Sequence, residues 1–268
     1  MRVVVCDDSQ QSDYRQMIDE FCAEHAERCR AARRPDNRGF KAGNLNHAIQ
    51  TEVQEEWVPV VDADQVLPPD YLRQLVAHLP ASPDGCAFVQ AAHEATVNEQ
   101  SSLLQQALAP GAKFFCQRDM PLRIRFGFVP MLGHGAIISL RAWRECGGFP
   151  EVVSEDFAFA LAAANHGLRG KYVGSVVSYE SLPFDFHAFV IRVRKYASGT
   201  AELFRREIFP FLVGRATLVE KWDLVLMLGW YVLMPLIFAN GFLAAYVCHR
   251  YWTEGVPLLH PLLPYLFA

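Results

Sequence analysis

The sequence lacks the basic excess of a protein that grips nucleic acid through its phosphates. Its 25 lysines and arginines stand against 29 aspartates and glutamates, a formal net charge of −4, so no nucleic-acid partner is expected. It also lacks any CxxC pair. The seven cysteines (Cys6, Cys22, Cys29, Cys86, Cys116, Cys146, Cys248) are odd in number and scattered, which is not a secreted disulfide framework and fits a reducing compartment. Cys22, His25 and Cys29 share one helical face by spacing; zinc ligation there competes with the commoner reading of core residues. Glycine and proline are not enriched, no segment repeats, and there is neither a GxxxxGK[ST] loop nor a kinase signature. With 51% hydrophobic and only 20% charged residues, the chain is not disordered. Its 268 residues make one or two domains.

Charge is missing altogether from Leu224 to Cys248, LVLMLGWYVLMPLIFANGFLAAYVC. Roughly 20 apolar residues cross a bilayer as a helix, and core helices seldom run this long without charge, so residues 222–248 read as a transmembrane helix. Pro235 and Asn240 are tolerated in such helices. Arg192, Arg194, Lys195, Arg205, Arg206, Arg215 and Lys221 precede the segment and Arg250 follows it, then an apolar tail over 249–268. The positive-inside rule places the large N-terminal part in the cytoplasm, at the cell (inner) membrane. Met1-Arg2 leads straight into VVVC, with no signal peptide. Within 184–221, the stretch His187–Glu207 sets Phe189, Val193, Tyr196, Thr200 and Leu203 at helical spacing among basic residues. It reads either as a helix in the membrane interface or as a surface helix packed on the domain.

Over 1–183, short β-rich runs alternate with helical patterns. Strands are expected at Arg2–Cys6, Trp57–Val61, Cys86–Gln90, Gly135–Leu140 and Lys171–Val177. Helices are expected at Ser12–Cys29, Gly43–Val53, Pro69–Leu79, Gln100–Leu108, Leu140–Cys146 and Glu155–His166. This alternation predicts an α/β domain with a doubly wound, mostly parallel sheet, whose ligands collect beyond the strands' carboxyl ends.

Acids stand at those ends. VVVC runs into Asp7-Asp8-Ser9, and VPVV into Asp62-Ala63-Asp64. In an extended segment residues two apart face the same way, so Asp62 and Asp64 would aim at one point and suit Mg²⁺ or Mn²⁺. The plainer reading is that aspartates end strands because they make turns. In Ser154-Glu155-Asp156, Ser154 is a candidate N-cap with two acids in the first turn. Lys41, opening a helix after Arg38-Gly39, makes a phosphate site with the free N–H groups there. Trp143 reads as core.

Taken in order, VVVCDDS, RPDNRGFKAGNLNHAI, VPVVDADQVLPPDYL, FVQAAH, GHGAIISLRAWRECGGF and VSEDFAFALAAANHGLRGKYV resemble family 2 glycosyltransferases, specifically the cellulose-synthase-like, membrane-bound branch. The resemblance covers about residues 2–248. It implies a GT-A fold and an inverting, metal-assisted transfer of a sugar from a nucleotide donor, usually UDP-linked, to a hydroxyl of a glycan or lipid-linked acceptor. Carried over by motif, Asp7 or Asp8 contacts the nucleoside, Lys41 approaches the nucleotide or its phosphates, and Asp62 sits near the donor. Asp64 holds Mg²⁺ or Mn²⁺ on the diphosphate, and Asp156 is the general base. A helix N-terminus lowers the basicity of Asp156; burial or its neighbour Glu155 offsets this. His134, between Gly133 and Gly135, falls where relatives line the acceptor pocket; a structural loop histidine is the alternative.

Two departures stand out. Processive members carry QxxRW where this chain has Arg192-Val193-Arg194-Lys195-Tyr196. The basic residues Arg192, Arg194 and Lys195 keep a diphosphate grip and Tyr196 an aromatic platform, but Lys195 lacks arginine's fork and the glutamine is gone, so processive polymerisation does not carry over. The family's first strand, central in its sheet, should also precede VVVCDDS. Without it, backbone groups mid-sheet lose their partners, or the sheet rearranges. A degenerate, non-catalytic domain serving as a membrane-bound scaffold is the second expectation.

Overall fold

The computed structural model describes residues 2–80 and 84–254. The valine run forms β1 (Val3–Cys6), which pairs in parallel with β2 (Cys29–Ala32). Between them lies α1 (Ser12–Glu24), which ends before the expected Cys29 because the chain turns over residues 25–28. That turn moves Cys29 onto β2, so the Cys22–His25–Cys29 helical face does not form. The Cys22 and Cys29 sulfurs lie 3.5 Å apart, and the His25 ring packs edge-on against Phe21.

The second sheet has the order β3 (Trp57–Val60), β5 (Ala136–Ser139), β4 (Cys86–Ala95), β6 (Arg169–Glu180). β4 and β6 are parallel, but β5 runs antiparallel to both its neighbours, so the expected mostly parallel sheet is a mixed one. The reason lies in the excursion after β4. It forms α4 (Leu103–Phe114), a π-helical turn (Phe115–Asp119) and α5 (Met120–Phe126), then returns without crossing the sheet, so β5 must run back along β4. A capping box starts α4: Ser102 Oγ accepts from Gln105 N and Gln105 Oε1 from Ser102 N. No described strand joins β1 to β3, so the sheet is interrupted between them.

Helices cover both faces of the second sheet. On one side lie α2 (Phe40–Glu52), α6 (Leu140–Glu145) and α7 (Glu155–Asn165), contributing Ile49, Trp143, Phe159 and Leu161 to a core over Phe88 and Ile138. On the other, α3 (Tyr71–Ala77) presses Tyr71 and Leu75 onto Val89, Ile137 and Val173. Ile137 and Ile138 point to opposite faces, as pleating requires. Each fully buried side chain of this size stabilises by about 1.5–3 kcal/mol. Trp143 is core as expected, and its Nε1 donates to Asn46 Oδ1 at 3.1 Å.

Two long helices follow. In α8 (Phe186–Val213), Asp185 caps the start by accepting from Ala188 N at 2.8 Å. Leu203 and Phe211 are buried against the domain, while Phe186, Ile191, Phe209 and Val213 stay exposed. The apolar stripe legible in the sequence therefore includes the side that packs on the protein, and a second apolar set faces outward among Arg194, Lys195, Arg205 and Arg206. α9 (Leu218–Glu254) bends by 59° between Tyr231 and Leu233. Pro235 accounts for the place: it removes one helical hydrogen bond and its ring crowds the carbonyl of Tyr231. Among the described residues no single straight helix is long and apolar enough to cross a membrane; the two arms of α9 meet that criterion together. The apolar tail from residue 255 on lies outside the described residues.

Candidate active site

Register puts the candidate residues at one edge of the molecule. β1 and β3 end there in Asp7-Asp8 and Asp62, and β6 ends in Glu180. β5 runs the other way, so its beginning, Gly133-His134-Gly135, meets the same edge. β3 stops at Val60, and Asp62-Ala63-Asp64 is a turn closed by Gln65 N donating to Asp62 O at 3.1 Å. The alternation argument for Asp62 and Asp64 therefore does not apply; a turn, not a strand, presents them.

Lys41 is the hub. Gly39 and Phe40 both take positive φ (69° and 48°), which swings the chain into α2 and delivers Lys41 toward the sheet. Its Nζ donates to Asp62 Oδ1 at 2.6 Å and to the Gly133 carbonyl at 3.1 Å, and lies 3.6 Å from Glu155 Oε1. Burial alone would depress the Lys41 ammonium. The charge and hydrogen bond of Asp62 outweigh that, with help from Glu155 and Asp156, and hold it above the usual lysine value.

Asp156 opens α7 beside this cluster. Desolvation, reinforced by the charge of Glu155, pushes its carboxyl up to about 7, against the hydrogen bonds of the helix start and the charge of Lys41. Ser154 stands at the N-cap position without making a capping bond; it faces Gly199 of α8, where a Cβ would collide with its hydroxyl. Gly133 (φ +84°) leaves room for Asp156: a Cβ there would sit 2.7 Å from Asp156 Oδ2.

Asp7 and Asp8 form an adjoining cluster. Asp7 accepts from Arg33 Nε at 2.6 Å and from Ser9 N at 2.9 Å; these outweigh burial and hold its carboxyl below the usual range. Asp8 is paired with Arg34 at 2.6 Å, and Arg34 also donates to the Phe40 carbonyl at 2.8 Å, one residue from Lys41. The two acids are thus wired to the start of α2 through arginines that the motif reading did not single out.

His134 sits on the far side of Lys41. Its carbonyl accepts from Gln90 Nε2 at 2.9 Å and His93 Nε2 at 3.0 Å, and its ring stacks on His93 at 4.2 Å. Its Nε2 lies 3.8 Å from Glu180 Oε2. Glu180 also meets Arg192 Nη2 at 3.4 Å, and Arg192 Nε donates to Tyr196 Oη at 2.9 Å. Arg194 and Lys195 are exposed on α8 and make no described contact with the site. The structure thus gathers Lys41, Asp62, Glu155, Asp156, His134, Arg192 and Tyr196 along one edge, with Asp64 in the adjoining turn. It leaves Arg194 and Lys195 aside. Reading the sequence did not single out Gln90, His93, Glu180, Arg33 or Arg34; Gln90 and His93 lie in FVQAAH, Arg34 opens RPDNRGFKAGNLNHAI with Arg33 on its flank, and only Glu180 lies outside the quoted motifs.

Among the described residues no three His, Cys, Asp or Glu side chains form a ready-made cation cage. Asp62 and Asp64 nevertheless fit Mg²⁺ or Mn²⁺ by donor chemistry, since such ions take one or two carboxylates and fill their remaining positions with phosphate and water.

A mixed α/β sheet with an acidic turn, a half-buried lysine and a helix opening on Glu155-Asp156 at one edge is the layout of a GT-A-like glycosyltransferase fold. The profile of glycosyl transferase family group 2 matches residues 57–268, and the chain belongs to that family. It is 27% identical over 266 residues to glucomannan 4-beta-mannosyltransferase 2 of Arabidopsis thaliana, covering 96% of this chain and 48% of that protein. It is 27% identical over 276 residues to a probable glucomannan 4-beta-mannosyltransferase of Oryza sativa subsp. japonica, covering 99% and 45%. The chain thus spans about half the length of the curated relatives it matches. Among solved structures it is similar to a mannosyltransferase from Pyrobaculum calidifontis in complex with GDP-Man and Mn²⁺. That match has a TM-score of 0.62 and 21% identity, covering 94% of this chain and 74% of that one.

Proposed function

We propose that this chain is a membrane-bound, nucleotide-sugar-dependent glycosyltransferase that transfers with inversion to a glycan or lipid-linked hydroxyl, with Asp156 as general base. The observation that carries this reading is the Asp156 carboxyl, pushed up to about 7 beside the Lys41–Asp62–Glu155 cluster. A carboxylate of that basicity accepts a hydroxyl proton near neutral pH. Lys41 stands where a donor diphosphate would meet a cation, and Arg192 adds a second from α8. Asp64 and Asp62 would hold a divalent cation there, which neutralises charge developing on the leaving diphosphate. Inversion follows when the hydroxyl attacks opposite the leaving group. Tyr196 offers a platform for a sugar face.

The relatives' mannosyltransferase names, together with the GDP-Man held by the similar solved structure, make GDP-mannose the first donor to assay, and UDP-sugars the next. Asp7 and Asp8, engaged by arginines, would reach the nucleoside through that same network. The outward apolar and basic residues of α8, with the two arms of α9, support attachment to a membrane, and the basic flank supports a cytoplasmic catalytic domain. Purified protein with Mn²⁺ should release nucleoside diphosphate from a nucleotide sugar, and Asp156→Asn should slow this by about 10²–10⁴-fold while still binding nucleotide. Turnover retained in both Asp156→Asn and Asp64→Asn would refute the assignment. The interruption between β1 and β3 favours a second reading, a non-catalytic membrane-bound partner. No heat of binding with GDP or UDP plus Mn²⁺ in calorimetry would select it.

A further inference from the structure

His134 has a polar atom without a partner. Its Nδ1 is shielded from bulk water and makes no hydrogen bond within the protein. Buried polar atoms are nearly always bonded, so an orphan at the edge of a site marks a place for a ligand. The rest of the residue is held tightly: two side chains grip its carbonyl, and the His93 ring lies flat against its own with 10° between the planes. Burial outweighs the nearby charges of Asp62 and Glu180 and keeps its imidazole below the usual histidine value, so the ring is neutral at pH 7 and carries one N–H and one lone pair.

What decides which nitrogen keeps the proton is the group facing Nε2. That group is Glu180, 3.8 Å away, which in this structure acts on Nε2 through charge and not through a formed hydrogen bond; its carboxylate is ion-paired with Arg192 and favours an N–H facing it. We infer that Glu180 is a positioning residue: it holds His134 as the Nε2–H tautomer and so presents Nδ1 as a hydrogen-bond acceptor to the hydroxyl of an incoming acceptor sugar. Arg192 fixes Glu180 in turn, which ties α8 to His134. The inference rests on reading this edge as the transferase site. It adds a residue that no motif carries.

Two measurements test it on the full chain in detergent. Long-range 1H–15N spectra, with the His134 signal assigned by its loss in His134→Ala, should show the Nε2–H tautomer in the wild type and a shift away from it in Glu180→Gln. An Nδ1–H tautomer in the wild type, or an identical spectrum in the variant, overturns the inference. In transfer assays with GDP-mannose and a manno-oligosaccharide, Glu180→Gln should raise the acceptor KM about tenfold with kcat changed less than twofold. Glu180→Asp should recover part of that loss, and Glu180→Gln with His134→Ala should be no worse than His134→Ala alone. A kcat loss at constant acceptor KM, or losses that multiply in the double variant, overturns it. If the wild type transfers nothing, the proposed function fails, and the tautomer measurement alone decides on Glu180.

Discussion

At the scale of single residues, the candidate site holds one group firmly in its ordinary charged form and shifts another far from its ordinary range. Lys41 is kept charged and Asp156 is made basic, both from partly buried positions. Removing the Asp156 carboxylate should cost about 10²–10⁴-fold in kcat, the usual contribution of a general base, read from nucleotide release. The base form exists above its pKa, so kcat should climb as pH rises through about 7 and then level. The sign for stability is the reverse. The folded state binds a proton at Asp156 that the unfolded state has shed, so this residue's contribution falls as pH rises from about 4 toward 7. Asp156→Asn should therefore melt higher than the wild type at pH 8, by scanning calorimetry, with the gap closing by pH 4. A gap that persists at pH 4 would mean that the carboxyl is not raised by folding.

At the scale of elements, the acidic strand ends were legible because apolar runs stop abruptly at Asp7 and Asp62. Lys41 was legible because it opens a helix behind a glycine. β2 was not, because CRAA has neither alternation nor a β-branched side chain, and its four residues gain strand form only by pairing with β1. The turn at Asp62–Asp64 was legible as the plainer of two readings, and the Gln65 N–H that closes it on the Asp62 carbonyl decides for the turn over two aligned strand-end carboxylates. Glu180 was illegible for a different reason. Its importance lies in contacts with residues 134 and 192, and no local pattern encodes a distant partner. The contact between α7 and α8 can be tested directly. Gly199 meets Ser154 so closely that Gly199→Leu must push α8 away from the start of α7. We expect a destabilisation of about 1–3 kcal/mol, seen in urea unfolding, and a loss of transfer larger than the loss of nucleotide binding.

At the scale of the whole molecule, exposed apolar surface is concentrated on α8 and α9. Phe209, Leu218, Trp222 and Phe242 are all well exposed, which an isolated soluble domain of this size rarely shows together. The protein should stay with membranes through alkaline carbonate washing, and release into the supernatant would argue against the spanning arrangement. Cys248, exposed near the end of α9, reports orientation. A membrane-impermeant maleimide should reach it from the outer face of intact cells; labelling from the inner face alone would reverse the topology.

The strand order has a consequence for synthesis. β3 and β4 follow one another in the chain, yet β5 lies between them and is made about forty residues after β4 ends. A chain growing from the ribosome therefore has to hold two finished, mutually compatible strands apart until their separator emerges. Direct β3–β4 pairing is the off-pathway trap this layout invites, and the helical excursion through α4 and α5 is translated during the vulnerable interval.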